Sequence, residues 1–229
     1  TEDDLLNTCR IAFEGGWNGI KLYFMLGLPT ETDEDVRGIA DLASKVLHVW
    51  RQYSPNKQRG VWITVSTSCF IPKPHSPFQW EAQVSMEEYR RRVELLRSSI
   101  TAKNVSYNWH DPDTSFVEAA LSRGDRKIAD VIEAVWRAGG RMEAWSDYFR
   151  FERWMRAFED CGLDPAFYAS RERGEDEVLP WCRVNMGVRE SLLLRERHRA
   201  YEAQLSPDCR AACSACGAAA LLEEGRCDG

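Results

Sequence analysis

At 229 residues, 44% of them hydrophobic and 29% charged, the chain can hold one large domain or two small ones around a real core. Its net charge of -6 argues against a general nucleic-acid-binding surface, so nucleic acid is not indicated as a partner. No apolar run approaches the ~20 residues of a membrane span and no signal peptide is present, so a cytoplasmic protein is expected, with no membrane partner.

Thr1-Glu-Asp-Asp4 reads as the start of a helix without an initiator Met, which suggests a piece of a longer protein. That helix covers residues 3–14, with Leu5, Leu6, Cys9, Ala12 and Phe13 on one face and Gly15-Gly16 as its stop. Ile20-Lys-Leu-Tyr-Phe-Met-Leu26 is too short for a lone helix and is bounded by Gly19 and Gly27. It reads as a strand buried on both faces. The chain then turns through Gly27-Leu28-Pro29, and Thr32 to Asp35 forms a capping box. Val36, Ile39, Leu42, Val46 and Val49 mark the buried face of a helix over about 33–50. Strand, tight turn and helix N-terminus together place backbone N–H groups at the carboxyl end of a parallel sheet, where α/β folds bind ligands.

Ser54-Pro-Asn-Lys-Gln-Arg-Gly60 is a polar loop, and the β-branched run Val61 to Thr67 reads as a second buried strand. Such βα repeats imply parallel pairing. Ile71-Pro-Lys-Pro-His-Ser-Pro77 carries three prolines in seven residues, which fixes a rigid extended loop. A second capping box, Ser85 to Glu88, opens a helix spaced by Met86, Tyr89, Val93, Leu96 and Ile100, and residues 104–109 read as a short closing strand. After Asp111-Pro112 the pattern becomes helical. Asp113 or Thr114 caps a helix carrying Phe116, Val117, Ala120 and Leu121, and Gly124 breaks it. Further helices are expected over 128–138, 147–161 and 187–204, with a charged, solvated loop at 170–177. Most of the nine tryptophans are expected in the core.

Of the eight cysteines, Cys9, Cys69, Cys161 and Cys182 are scattered and read as small buried hydrophobes. Cys209, Cys213 and Cys216 are clustered as C-x3-C-x2-C, and thiolates so spaced suit zinc or an iron–sulfur cluster. Cys227 could supply a fourth ligand; unliganded reduced thiols are the plainer alternative. Among four histidines, His75 in the proline loop is the candidate proton donor or substrate contact, and His48, His110 and His198 read as surface or core. Arg123, Arg126 and Lys127 could hold an anion, although a solvated face is the simpler reading.

Gly27-Leu-Pro-Thr-Glu-Thr32, within the run from Gly19 to Val36, resembles the fifth strand and loop of the radical S-adenosylmethionine barrel. Ser68-Cys-Phe-Ile-Pro-Lys-Pro-His-Ser-Pro-Phe-Gln79 is similar to the segment after its sixth strand. Leu121-Ser-Arg-Gly-Asp-Arg126, Leu179-Pro-Trp181 and Asp208-Cys-Arg210 extend the resemblance to members that carry a cobalamin-binding domain ahead of the barrel. The resemblance implies an α/β fold: the C-terminal part of a partial, TIM-like (β/α) barrel over 1–111, an all-helical extension over 112–204 and a Cys-rich tail over 205–229. It implies S-adenosylmethionine beside Gly27, Leu28, Pro29, Glu31, Phe70 and Pro72, and a catalytic [4Fe-4S] cluster whose ligands lie outside this fragment, with cobalamin as a further cofactor. The missing N-terminal part of the same protein and an unidentified substrate would be its partners. The Cys209, Cys213 and Cys216 centre would be a second, separate one, because its place near the end of the chain differs from that of the family's catalytic motif. A helical partner-binding module with a small zinc knuckle is the competing reading, and a non-radical barrel enzyme a weaker third.

Overall fold

In the computed structural model, which describes residues 1–221, the chain divides into two compact units. The first comprises Thr1–Phe70 and Val84–Pro112; the second comprises Ile71–Gln83 and the chain from Asp113 onward.

The first unit is built from α1 (Glu2–Glu14), β1 (Gly19–Leu26), α2 (Asp33–Tyr53), β2 (Trp62–Cys69), α3 (Met86–Ser99) and β3 (Val105–Trp109). Capping explains where the helices begin. Thr1 and Thr32 each accept the N–H of the third helical residue, whose Asp side chain reaches back to the cap backbone. The strands pair in the order β1-β2-β3, all parallel, with Leu22 opposite Val65 and Val65 opposite Tyr107. Leu22, Leu26, Ile63 and Val65 meet Phe13, Val36, Val46, Val93 and Leu96 from the helices in one apolar core. The result is a mixed α/β unit with a parallel sheet of three strands.

The opposite face of the sheet differs from the expectation of strands buried on both sides. Tyr23 is 72% and Met25 48% exposed, beside Ser66 and Ser68 of β2 and Ser106 and Asn108 of β3. No described element of this unit covers that face, so alternation along each strand leaves every second residue open. Gly19 is required here: a Cβ at that position would lie 2.2 Å from the Trp62 indole nitrogen, which crosses it from the neighbouring strand. Tryptophan burial also departs from expectation. Trp50, Trp80, Trp154 and Trp181 are buried, whereas Trp17, Trp62, Trp109, Trp136 and Trp145 are exposed.

The second unit carries α4 (Pro112–Ser122, whose first residue closes the first unit), α5 (Ile128–Arg137), α6 (Phe151–Asp160), α7 (Pro165–Ala169) and α8 (Glu190–Tyr201). Helix α6 starts later than residue 147 because the Glu143 carboxylate takes the Arg150 N–H at 3.1 Å and the Trp154 indole N–H at 3.3 Å, holding the preceding turn out of the helix. The short α7 escaped the periodicity, although Asp164 caps it and Pro165 occupies its first turn. The proline segment is tied in by backbone bonds: Gln83 N–H donates to Ala169 O at 3.1 Å and Arg173 N–H to Trp80 O at 2.8 Å. Around Trp80, the buried Leu179, Trp181 and Leu193 form an apolar cluster.

Candidate functional site

Parallel strands end together, so the carboxyl edge of the sheet in the first unit is the place to begin. There Tyr23, Phe24, Met25, Ser66, Thr67, Ser68 and His110 line a concavity of about 450 Å³ on the open face. Lys21 sets its amine 4.7 Å from the centre of the Tyr23 ring. Beneath, Thr67 and Tyr107 share a hydroxyl–hydroxyl bond of 2.8 Å, and burial pushes the Tyr107 phenol up to about 12.

Gly27 follows β1 with φ +91°, and its N–H donates to Glu31 Oε2 at 2.8 Å. Glu31 also pairs with Arg92, which in turn meets Glu88 at 2.7 Å. The Glu31 N–H donates to Leu28 O at 3.2 Å, and Thr30 turns through φ +65°. Leu28 and Pro29 are half-buried. Phe70, 6% exposed, donates its N–H to Leu26 O at 2.8 Å, extending the ladder past β2. Gly27, Leu28, Pro29, Glu31 and Phe70 thus gather within the first unit, while Pro72 belongs to the second.

In the second unit, His75 adopts φ +58° and donates its N–H to Gln79 Oε1 at 2.9 Å. The same oxygen accepts the Trp181 indole N–H at 2.7 Å, so two sequence words a hundred residues apart meet at one buried carboxamide. His75, Gln79, Trp181, Cys182, Met186 and Glu190 are among the residues lining a cavity of about 220 Å³. Arg123 overturns the solvated-face reading. It is fully buried and donates to Ala169 O at 2.8 Å and Arg171 O at 3.2 Å. Burial, with the nearby charges of Arg173 and Arg171, holds its guanidinium down to about 10. Arg126 and Lys127 stay at the surface side of that turn, where the Lys127 N–H donates to Asp125 at 2.9 Å.

The tail is anchored to the start of α8: Arg189 N–H donates to Cys216 O at 2.8 Å and Arg195 to Ser214 O at 2.6 Å. Cys213 Sγ accepts the Ala215 N–H and Cys216 Sγ the Ala218 N–H, each at 3.4 Å. Among the described residues no three His, Cys, Asp or Glu side chains converge as a metal site would; Cys227 lies outside them. No helix among the described residues is long and apolar enough to cross a membrane.

Sequence reasoning missed the buried role of Arg123, while His110, read as surface or core, is exposed at the edge of the concavity. The signal for His110 was available in the alternation Ser106, Asn108, His110, which continues the open face one step beyond β3.

No family model matches the chain, and no solved structure matches it. It is similar to the "Uncharacterized protein MJ0966" of Methanocaldococcus jannaschii, at 24% identity over 166 residues, which are 71% of this chain and 34% of that protein. The chain therefore spans about a third of the length of that curated relative.

Proposed function

We propose that this chain is the carboxyl-terminal part of a cytoplasmic radical S-adenosylmethionine enzyme of the cobalamin-binding-domain type, with its sheet forming one wall of a partial (β/α) barrel. One observation carries the reading. The three strands are all parallel, the core packs on one face, and the other face is lined by Ser66, Ser68, Asn108, Tyr23 and Met25, as the inner wall of a barrel would be. The resemblance of residues 27–32 and 68–79 to the family's strand-end segments supports the same reading. The chain's own residues then bind and orient S-adenosylmethionine, and the strands that would complete the wall belong to the rest of the polypeptide.

The catalytic [4Fe-4S] cluster, when bound, supplies the electron that cleaves S-adenosylmethionine. Its ligands are expected outside this chain, since Cys9 and Cys69 are buried in the core of the sheet unit. Cobalamin would be held by the preceding domain. Calorimetric titration of S-adenosylmethionine into the anaerobically reconstituted full-length protein tests the reading. Saturable binding is expected, and its absence from a folded, cluster-loaded protein would sink it.

The tail favours a second element of function, a zinc or iron–sulfur centre on Cys209, Cys213 and Cys216. The two N–H to sulfur bonds orient the Cys213 and Cys216 side chains within the tail, and a metal arriving there would draw the three sulfurs together as the tail folds around it. This centre suits the competing reading of a partner-binding module equally well. Metal analysis and visible absorption of this chain purified anaerobically decide it: stoichiometric zinc or iron is expected. A colourless, metal-free protein with three freely titrating thiols would end the idea.

A further inference from the structure

The buried carboxamide of Gln79 has incomplete bonding. Gln79 is 2% exposed, and its Oε1 accepts both the His75 N–H at 2.9 Å and the Trp181 indole N–H at 2.7 Å. Two donors on one atom identify that atom as the oxygen, so the protein itself sets the orientation of the amide. Its other end, Nε2 with two N–H groups, has no hydrogen-bond partner among the described residues. A buried donor left open costs stability unless something meets it. Gln79 lines the cavity of about 220 Å³ in the second unit, and its free donors belong to that space.

The walls restrict what can enter. Leu179, Trp181 and Leu193 are buried and give an apolar floor. Asn185 commits its Oδ1 to the Gly187 N–H at 2.8 Å, so it too presents only amide N–H groups. The Glu190 carboxylate, exposed in the first turn of α8, is an acceptor at the rim.

Charge then selects the ligand. Among the described lining residues none is Lys or Arg, so an anion entering beside Glu190 would find no countercharge. The Gln79 oxygen is already taken, so a cation would find no acceptor there at the buried end. What fits is a neutral molecule with an acceptor for Gln79, an N–H for Glu190 and an apolar body between them. An apolar cavity of about 150 Å³ accommodates one benzene-sized ring, so this one has room for a single ring with a substituent.

We propose that this cavity is a binding site for a small neutral amide or lactam, whose carbonyl accepts from Gln79 Nε2 and whose N–H donates to Glu190. Its described lining residues all belong to the second unit. The site is therefore distinct from the strand-end residues of the first unit, and the inference goes beyond the S-adenosylmethionine reading.

The test uses the full-length protein with 2-piperidone, a six-membered lactam, as the probe, followed by saturation-transfer NMR of the probe's own signals. So small a probe should bind saturably, with a Kd in the millimolar range. Gln79→Glu keeps an oxygen for the His75 and Trp181 N–H groups but replaces the free donor by an acceptor. Affinity should fall about tenfold, from one lost hydrogen bond and the repulsion between two acceptors. Glu190→Ala, at the exposed rim, should weaken binding about fivefold without moving the unfolding midpoint, and it decides the matter if Gln79→Glu does not fold. Cyclohexanone, which keeps the carbonyl and lacks the N–H, should bind about fivefold more weakly than 2-piperidone and be indifferent to Glu190→Ala. Absence of a saturable signal with 2-piperidone, or unchanged affinity in the folded variants, overturns the inference. Neither result alters the calorimetry of S-adenosylmethionine, so the two readings fail separately.

Discussion

The sheet unit keeps its interior apolar. Its buried polar groups are few: Thr67 is paired with Tyr107, the Tyr89 hydroxyl with His110 O, and the Glu31 carboxylate with Arg92. The helical unit buries Gln79, Glu81, Gln83, Ser115, Arg123 and Arg173. Glu81 receives Arg197 at 2.6 Å and the Tyr201 hydroxyl at 2.8 Å, and Arg173 donates to Arg123 O at 2.8 Å. The contrast follows from what each unit must join. Helices on a sheet close over apolar side chains because their own backbones are already bonded. The helical unit includes long irregular stretches, at 71–83 and 170–189, whose backbone carbonyls need donors, and arginine reaches several at once. One unit is specified by packing, the other by polar satisfaction.

The largest expected effect breaks the second half of that contrast. Arg123→Ala removes donors from two carbonyls and should destabilise the helical unit by about 3 kcal/mol, more than an ordinary surface change. Urea unfolding followed by Trp181 fluorescence checks it; a loss below ~1 kcal/mol would show that the clasp is dispensable.

A middle-sized effect sharpens the first half. Gly27 has φ +91°, and an added Cβ would lie 2.7 Å from Val84 Cγ2. Gly27→Ala should cost about 1–3 kcal/mol. Adding Val84→Ala should recover the steric part and leave the cost of the left-handed backbone. Full recovery in the double variant, measured by denaturant midpoints, would show that backbone strain contributes nothing. Loss of cofactor binding in a Gly27 variant is accordingly read only alongside its stability.

The smallest effect is electrostatic and lies at the surface. Hydrogen bonds from Arg91 and Arg92 hold the Glu88 carboxylate down to about 2, below its usual 4.5. The folded value is the lower one, so the stabilisation is present above that usual value and is lost as pH falls toward 2. Glu88→Gln should be less stable than the parent by under ~1 kcal/mol near neutrality, with the gap closing in acid. A gap that widens as pH falls would contradict the assignment.

The sequence by itself determined the local elements. Capping boxes at Thr1 and Thr32, the apolar spacing of α2, and the prolines of 71–77 settle conformation through contacts a few residues apart. Parallel pairing was legible too, because a long helical crossover joins β1 to β2. What tertiary structure alone decided is which of two faces is covered. The run Ile20 to Leu26 is apolar on both sides, and only the placement of the helices shows that Tyr23 and Met25 stay open while Leu22 and Leu26 are buried. The same holds for Arg123, whose burial depends on carbonyls at 169 and 171, and for His110, which gains its place from Thr67 and Tyr89. Periodicity reports the alternation of side chains along one segment; burial is a property of whatever distant segment packs against it.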